Sequence, residues 1–210
     1  MLQRWQKAYF DTLMFAEFID RPISGQFPEK HFGRFTPYSS WVKFTDNDYR
    51  EWVGSFTRGW EGHATLIINF EIDDKALVAA GGQGYLIDIA ERQQLNTDEL
   101  SEIKSAIADP EGQRVIFSSG YGLQTVDLNG LRFTLFDKYY FDDIELTEIR
   151  NNKLYARYWY YQRDNEPYRF EIDLETKEVK DTYFDTVSKT YTNENPNPTL
   201  FQKISNWFKS

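Results

Sequence analysis

Any chemistry in this 210-residue chain would have to come from a short roster of residues. There is no cysteine, and there are 2 histidines beside 33 acids and 24 bases. Without cysteine the chain has no disulfide framework, no thiolate nucleophile and no Cys-ligated zinc or iron–sulfur centre. Two histidines cannot complete a three-His metal site. His31 lies in a Pro/Gly-rich loop, and His63 precedes a strand with no Ser and Asp spaced around it for a triad. Asp46-Asn47-Asp48 could open a calcium loop. Arg50 and Glu51 stand where that loop needs an oxygen ligand and a glycine.

Two glycine clusters, Gly81-Gly82-Gln83-Gly84 and Ser119-Gly120-Tyr121-Gly122, invite a phosphate-loop reading. Such a loop needs a helix N-terminus behind it. Strand-like sequence follows both clusters, so they read as tight hairpin turns that need positive φ. Ser118-Ser119-Gly120 lacks glycine on both sides of a serine and is not a nucleophile elbow. No spacing among the acids singles out a pair for glycoside hydrolysis. The sequence therefore points to no catalytic residue, no cofactor and no metal, and a non-enzymatic binding role is expected.

Binding residues are easier to nominate. Aromatic residues make up 18 % of the chain. They are concentrated in Tyr139-Tyr140-Phe141 and Tyr158-Trp159-Tyr160-Tyr161. Strand alternation places Tyr158 and Tyr160 on one face and Trp159 and Tyr161 on the other. Such residues are enriched at interfaces and also stack on sugars. Charge is uneven along the chain: residues 1–62 are neutral, 63–136 carry −6, 137–186 carry −5 and 187–210 carry +2. The formal net charge is −9. An acidic surface suits a basic protein partner and opposes sequence-independent nucleic-acid binding. Glu171, Asp173 and Glu175 alternate with the apolar Phe170, Ile172 and Leu174, which turns these acids outward. Asp142, Asp143 and Glu145 are turn-region candidates. Partner contacts are thus expected at Tyr158, Tyr160, Glu171, Asp173, Glu175, Asp142, Asp143 and Glu145.

The elements that must carry these residues are mainly antiparallel strands. Short runs rich in β-branched and aromatic residues alternate with turn clusters from Trp41 to about residue 186. Helical spacing appears in three places. Leu2, Trp5, Tyr9, Leu13 and Ala16 predict a helix over 2–18. Asn96-Thr97-Asp98-Glu99 has the form of a capping box and predicts one over 97–107. Leu200, Ile204, Trp207 and Phe208 predict one over 199–209. Asp109-Pro110-Glu111-Gly112 has the composition of a type I turn. We read a single domain: a helix and loop over 1–40, a β region over 41–186, and a linker and helix over 187–210. No run of about 18 apolar residues is present for a helical membrane span, and no leader is visible, so a cytoplasmic location is expected.

The β region contains a repeat. Leu77-Val78-Ala79-Ala80-Gly81 with Leu86-Ile87-Asp88-Ile89 aligns on Ile116-Phe117-Ser118-Ser119-Gly120 with Thr125-Val126-Asp127-Leu128, 39 residues later. A third copy of the closing motif, Glu171-Ile172-Asp173-Leu174, follows 46 residues after the second. That spacing, and the turn-then-strand run from Asp109 to Phe117, resembles WD-repeat-like β-propeller blades over about 75–184. Glu111 stands where those blades usually carry Asp, and the Gly-His and Trp-Asp signatures are missing. The resemblance implies an all-β fold of propeller-like meanders, partial or small, with the three helices covering exposed edges. It implies no function. The expected role is an acidic binding protein, of the immunity type that covers a basic partner. A carbohydrate-binding module with an aromatic platform, or an enzyme whose catalytic residues no motif marks, is the alternative.

Overall fold

The computed structural model describes residues 16–34, 36–70, 73–119, 122–137, 143–159 and 166–183. The chain divides into two compact units, Met1–Tyr140 and Phe141–Ser210. The described residues are all-β, with almost no helix, in four mostly antiparallel four-stranded sheets.

The first unit holds three sheets. The first combines β1 (Ala16–Ile19), β2 (Glu29–Phe32), β3 (Ser39–Thr45) and β4 (Glu51–Thr57) in the order β1-β3-β4-β2. Within it, β2 runs parallel to β4. The second is the meander β5 (Leu66–Phe70), β6 (Lys75–Ala80), β7 (Gln83–Asp88) and β8 (Gln93–Gln94). The third repeats it with β9 (Ser105–Asp109), β10 (Arg114–Ser119), β11 (Gly122–Asp127) and β12 (Arg132–Phe136). The first strand residues 66, 75, 83 and 93 of the second sheet become 105, 114, 122 and 132 in the third, so the 39-residue repeat holds for all four strands. The second unit holds β13 (Asp143–Arg150), β14 (Lys153–Trp159), β15 (Tyr168–Asp173) and β16 (Val179–Asp181) in sequential order.

The second sheet is apolar on both faces, because successive strand residues point to opposite sides. Ala76, Val78, Ala80, Tyr85 and Ile87 meet Phe32, Val42, Phe44, Trp52 and Phe56 of the first sheet. Phe44 stacks on Trp52 at 4.3 Å between ring centroids, and Phe32 on Phe56 at 4.9 Å. On the other side, Leu77, Ala79 and Leu86 pack with Val115, Phe117 and Val126 of the third sheet. Trp52 Nε1 donates to the Ile89 carbonyl at 3.1 Å and so pairs its polar atom inside the first core.

The repeated aspartates are turn caps. Asp127 Oδ1 accepts the amides of Asn129 and Leu131, each at 2.9 Å. Asp173 Oδ1 accepts those of Glu175 at 3.0 Å and Thr176 at 2.8 Å. Asp88 Oδ1 accepts the Glu91 amide. The carboxylate satisfies amides that the turn would otherwise leave bare, which explains why the motif closes each copy. The glycine cluster behaves as expected: Gly81 and Gly82, at φ 56° and 79°, form the two-residue turn between β6 and β7. Asn151 and Asn152, also at positive φ, turn β13 into β14.

The expected helix over 97–107 is not there. Over 97–107 the chain runs extended across the end of the second sheet and enters β9 at Ser105. Leu100 pairs with Gly84, and Ile103 donates its amide to Gly82, so both apolar residues enter the core from an extended backbone. Asn96 is buried and accepts the Leu86 amide at 2.7 Å, which occupies the oxygen a helix cap would need. Tertiary hydrogen bonding and the need of β10 for an edge partner override the local pattern. The end of the expected 2–18 helix, Ala16–Ile19, is strand β1, paired with β3. Its residues 2–15, and the expected helix over 199–209, lie outside the described residues.

Replacing Asp127 with Ala is expected to lower unfolding free energy by about 1–2 kcal/mol, the net value of two lost hydrogen bonds. The exposed Glu175→Ala is expected to stay within about 0.5 kcal/mol. Urea denaturation of the two variants checks this.

Candidate functional site

The connections between consecutive sheets, 58–65 and 95–104, lie at one end of the first unit's strands. At the opposite end lie the turns β3–β4, β5–β6, β7–β8, β9–β10 and β11–β12. Those turns carry Asp46, Asp48, Asp73, Asp74, Asp88, Glu91, Asp109, Glu111 and Asp127. The cations among them are largely engaged. Arg50 donates Nε to Asp46 at 2.8 Å and lies 3.1 Å from Asp48. Arg114 donates Nε to Asp109 at 2.8 Å. Arg92 lies over the Trp52 ring, with its guanidinium carbon 5.9 Å from the centroid. Asp73, Glu91 and Glu111 remain exposed and have no cation within ion-pair distance among the described residues.

Asp46 and Asp109 share one device: Oδ1 caps turn amides while Oδ2 takes an arginine Nε. For Asp46, burial opposes ionisation. The hydrogen bonds from the Arg50 backbone and side chain and the Asp48 amide outweigh it and hold the carboxyl below the usual range. In the second sheet, Asp74 has no such clamp. It is 9 % exposed, at φ 51°, and its Oδ1 is buried with no hydrogen-bond partner. Burial, then the fields of Asp46, Asp88 and Asp48, push its carboxyl above the ordinary value. Like charges of two adjacent sheets thus converge on one desolvated acid.

The nominated residues of the fourth sheet are placed differently. Tyr158 is 2 % exposed, and its hydroxyl donates to the Asp181 carboxylate at 2.8 and 2.9 Å. It is a core residue, which corrects its expected place on a contact face. Phe170, Ile172 and Leu174 are buried and Glu175 is exposed, as the alternation predicts. Glu171 is ion-paired to Lys153 at 2.7 Å and Lys180 at 3.5 Å, and the Lys153 hydrogen bond lowers its pKa. Glu145 is paired to Arg157 at 2.7 Å. Asp173 is a turn cap. Asp143 begins β13, and Tyr160 and Asp142 lie outside the described residues. Sequence reasoning missed the turn end of the first unit, although the repeat's Asp motifs, at Asp88 and Asp127, marked two of its turns.

Among the described residues, no group of three or more His, Asp or Glu could hold a metal ion. No described helix is long and apolar enough to cross a membrane. Tyr85 is pushed up to about 12 by burial, and its hydroxyl donates to the Thr57 carbonyl at 2.9 Å, so it is a structural phenol.

No family model matches the chain, and no curated protein matches it. Among solved structures, it is similar to the extracellular domain of a putative one component system from B. thetaiotaomicron. Identity is 9 %, the match covers 69 % of this chain and 26 % of that one, and the TM-score is 0.34. The chain spans about a quarter of that protein's length, and likeness at this level carries no argument about function.

Two stability predictions follow from these placements. Asp74→Asn, which tolerates positive φ as Asp does, is expected to stabilise the fold at neutral pH. A raised folded-state pKa means that ionised Asp74 opposes folding. The gain over wild type should shrink as pH falls through that raised value and vanish below about 4, where the unfolded carboxyl is protonated too. Thermal melts from pH 3 to 8 read this directly. Tyr158→Phe is expected to cost about 1–3 kcal/mol, because it leaves the buried Asp181 carboxylate without its hydroxyl donor.

Proposed function

We propose that this chain is a non-enzymatic docking protein that binds a basic protein partner through the acidic turn end of its first three sheets. The observation that carries the reading is the charge left over at that end. Arg50 and Arg114 are held by their own aspartates, while Asp73, Glu91 and Glu111 are exposed with no cation within ion-pair distance among the described residues. Asp74 lies buried and unclamped beside them. A surface of one sign steers an oppositely charged protein and selects against acidic ones. The fourth sheet suits this role less well, since Glu145 and Glu171 already pair with its own lysines and arginine.

The finer reading is an immunity-type inhibitor that covers a basic partner such as a nuclease toxin. The four-stranded sheets and the 39-residue repeat support propeller-like blades as the scaffold, resembling WD-repeat blades. The carbohydrate-platform alternative would use Tyr158, Tyr160 or Trp159; of these Tyr158 is core, Trp159 is half-buried and Tyr160 lies outside the described residues.

Affinity capture from the source cell, with identification of the retained protein, tests the proposal. A basic partner is expected, with an association rate that falls steeply between low and physiological salt, since exposed charges are screened beyond about 8 Å there. The double change Glu91→Lys, Glu111→Lys is expected to slow association about tenfold and leave the melting temperature nearly unchanged. A rate insensitive to both salt and charge reversal contradicts the assignment.

A further inference from the structure

Two sheets of the first unit clamp a turn aspartate with an arginine, and the sheet between them does not. Asp46, before β4, holds Arg50 at 2.8 Å, and Asp109, at the end of β9, holds Arg114 at 2.8 Å. In the second sheet the turn acid is Asp74, which precedes the start of β6 at Lys75. It is 9 % exposed, and its Oδ1 has no hydrogen-bond partner. No cation forms an ion pair with it among the described residues.

The repeat shows that the turn itself does not need this carboxylate. The residue 39 positions later is Gln113, and both have positive φ, 51° and 47°. The Asp74 backbone carbonyl accepts the Ile89 amide at 2.9 Å, and that of Gln113 accepts the Leu128 amide at 3.2 Å. Ile89 and Leu128 are themselves 39 residues apart. The structural duty of the position therefore lies in its backbone, and Gln113 performs it with a neutral, exposed side chain. Nothing in the turn accounts for burying a charge there, and a buried carboxylate without a partner costs stability.

The surroundings add to that cost. The negative fields of Asp46, Asp88 and Asp48 reach Asp74, and the positive field of Arg50 is weaker than each of them. The oxygens of Asp46 are already taken by the Asp48 and Arg50 amides and by Arg50 Nε, and Asp88 Oδ1 takes the Glu91 amide. Arg50 also lies 3.1 Å from Asp48. The other cations of this end are placed elsewhere. Arg114 pairs with Asp109, and Arg92 lies over the Trp52 ring. Lys75, opposite Asp88 in register, forms no ion pair among the described residues. Asp46, Asp48, Asp74 and Asp88 thus share Arg50, and Asp74 is the buried one left without a donor on Oδ1. Asp48 and the adjacent Asp73 are exposed, so the cluster is reached from solvent.

We propose that Asp74 is the anchor of the acidic docking end: it receives one arginine side chain of the basic partner, which completes in the second sheet the aspartate–arginine pair that the first and third build internally. The inference rests on the reading of this end as a docking surface. A guanidinium suits the place better than an ammonium, because it is more weakly hydrated and its fork reaches several carboxylate oxygens at once. The free chain carries the cost of the bare carboxylate, and the complex relieves it. Asp74 therefore lowers the stability of the free chain and raises its affinity for a partner that brings an arginine.

The test uses the full chain and a hexa-arginine peptide, titrated calorimetrically at low salt and neutral pH. Asp74→Asn is expected to weaken binding about tenfold while raising the melting temperature. Asp74→Gln, the residue that the third sheet carries at this place, should bind as weakly. Glu91→Gln and Glu111→Gln each remove one charge from an exposed position at the same end, and each should weaken binding by no more than about twofold. Hexalysine should bind the wild type more weakly and lose less on Asp74→Asn. If Asp74→Asn costs no more than Glu111→Gln, or if hexalysine loses as much as hexa-arginine, the anchor is overturned while the acidic docking end stands. No binding of hexa-arginine to the wild type overturns both.

Discussion

Burial of the second sheet on both faces is the constraint from which the rest of the first unit follows. Strand β6 carries no charged residue between its ends. Ala76, Val78 and Ala80 pack toward the first sheet, while Leu77 and Ala79 pack toward the third. A single sheet with two apolar faces is not stable in water, so the second sheet needs a neighbour on either side. The small residues of β6 let the facing sheets come close, and the large aromatics sit on the facing strands: Trp52 and Phe44 on one side, Phe117 on the other. At roughly 25 cal/mol per Å² of apolar surface, this two-sided burial is the dominant favourable contribution in the unit.

The same arrangement decides where polar chemistry can live. Strand interiors are closed to it, so carboxylates and cations collect at the strand ends. There they divide into two kinds. Some complete the fold: Asp127 and Asp173 cap turns, and Asp46 with Arg50 and Asp109 with Arg114 lock the entry to β4 and β10. Others form no ion pair among the described residues: Asp73, Glu91 and Glu111 at one end, and Arg34 and Arg58 at the other. Sorting charge in this way is more informative than net charge, because −9 is a sum over both kinds.

Much of the fold was legible because its signals are local. The turn glycines and the Asp of each closing motif act within a few residues of themselves, so the 39-residue period could be read directly and extends to every strand of the second and third sheets. The helix over 97–107 was misread because Leu100, Ile103 and Ile107 fit a helical face and an extended crossing equally well. What decides between them is the Leu86 amide held by Asn96, a contact set by tertiary structure. Tyr158 was misplaced for a related reason. Its hydroxyl partner, Asp181, lies 23 residues away, and no periodicity reveals that pairing. The unclamped Asp74 was likewise invisible, since its surroundings arise from turns of two adjacent sheets.

Native-state hydrogen exchange of the full chain tests the two-faced burial most directly. Amides of β6 and β7 should exchange slowest in the first unit and approach the global unfolding free energy, with β10 and β11 close behind. The edge strands β8 and β12 should exchange through local opening at least about a hundredfold faster. If the β6 and β7 amides exchange as fast as those of β12, the second sheet is not the buried layer on which the fold depends, and the account fails.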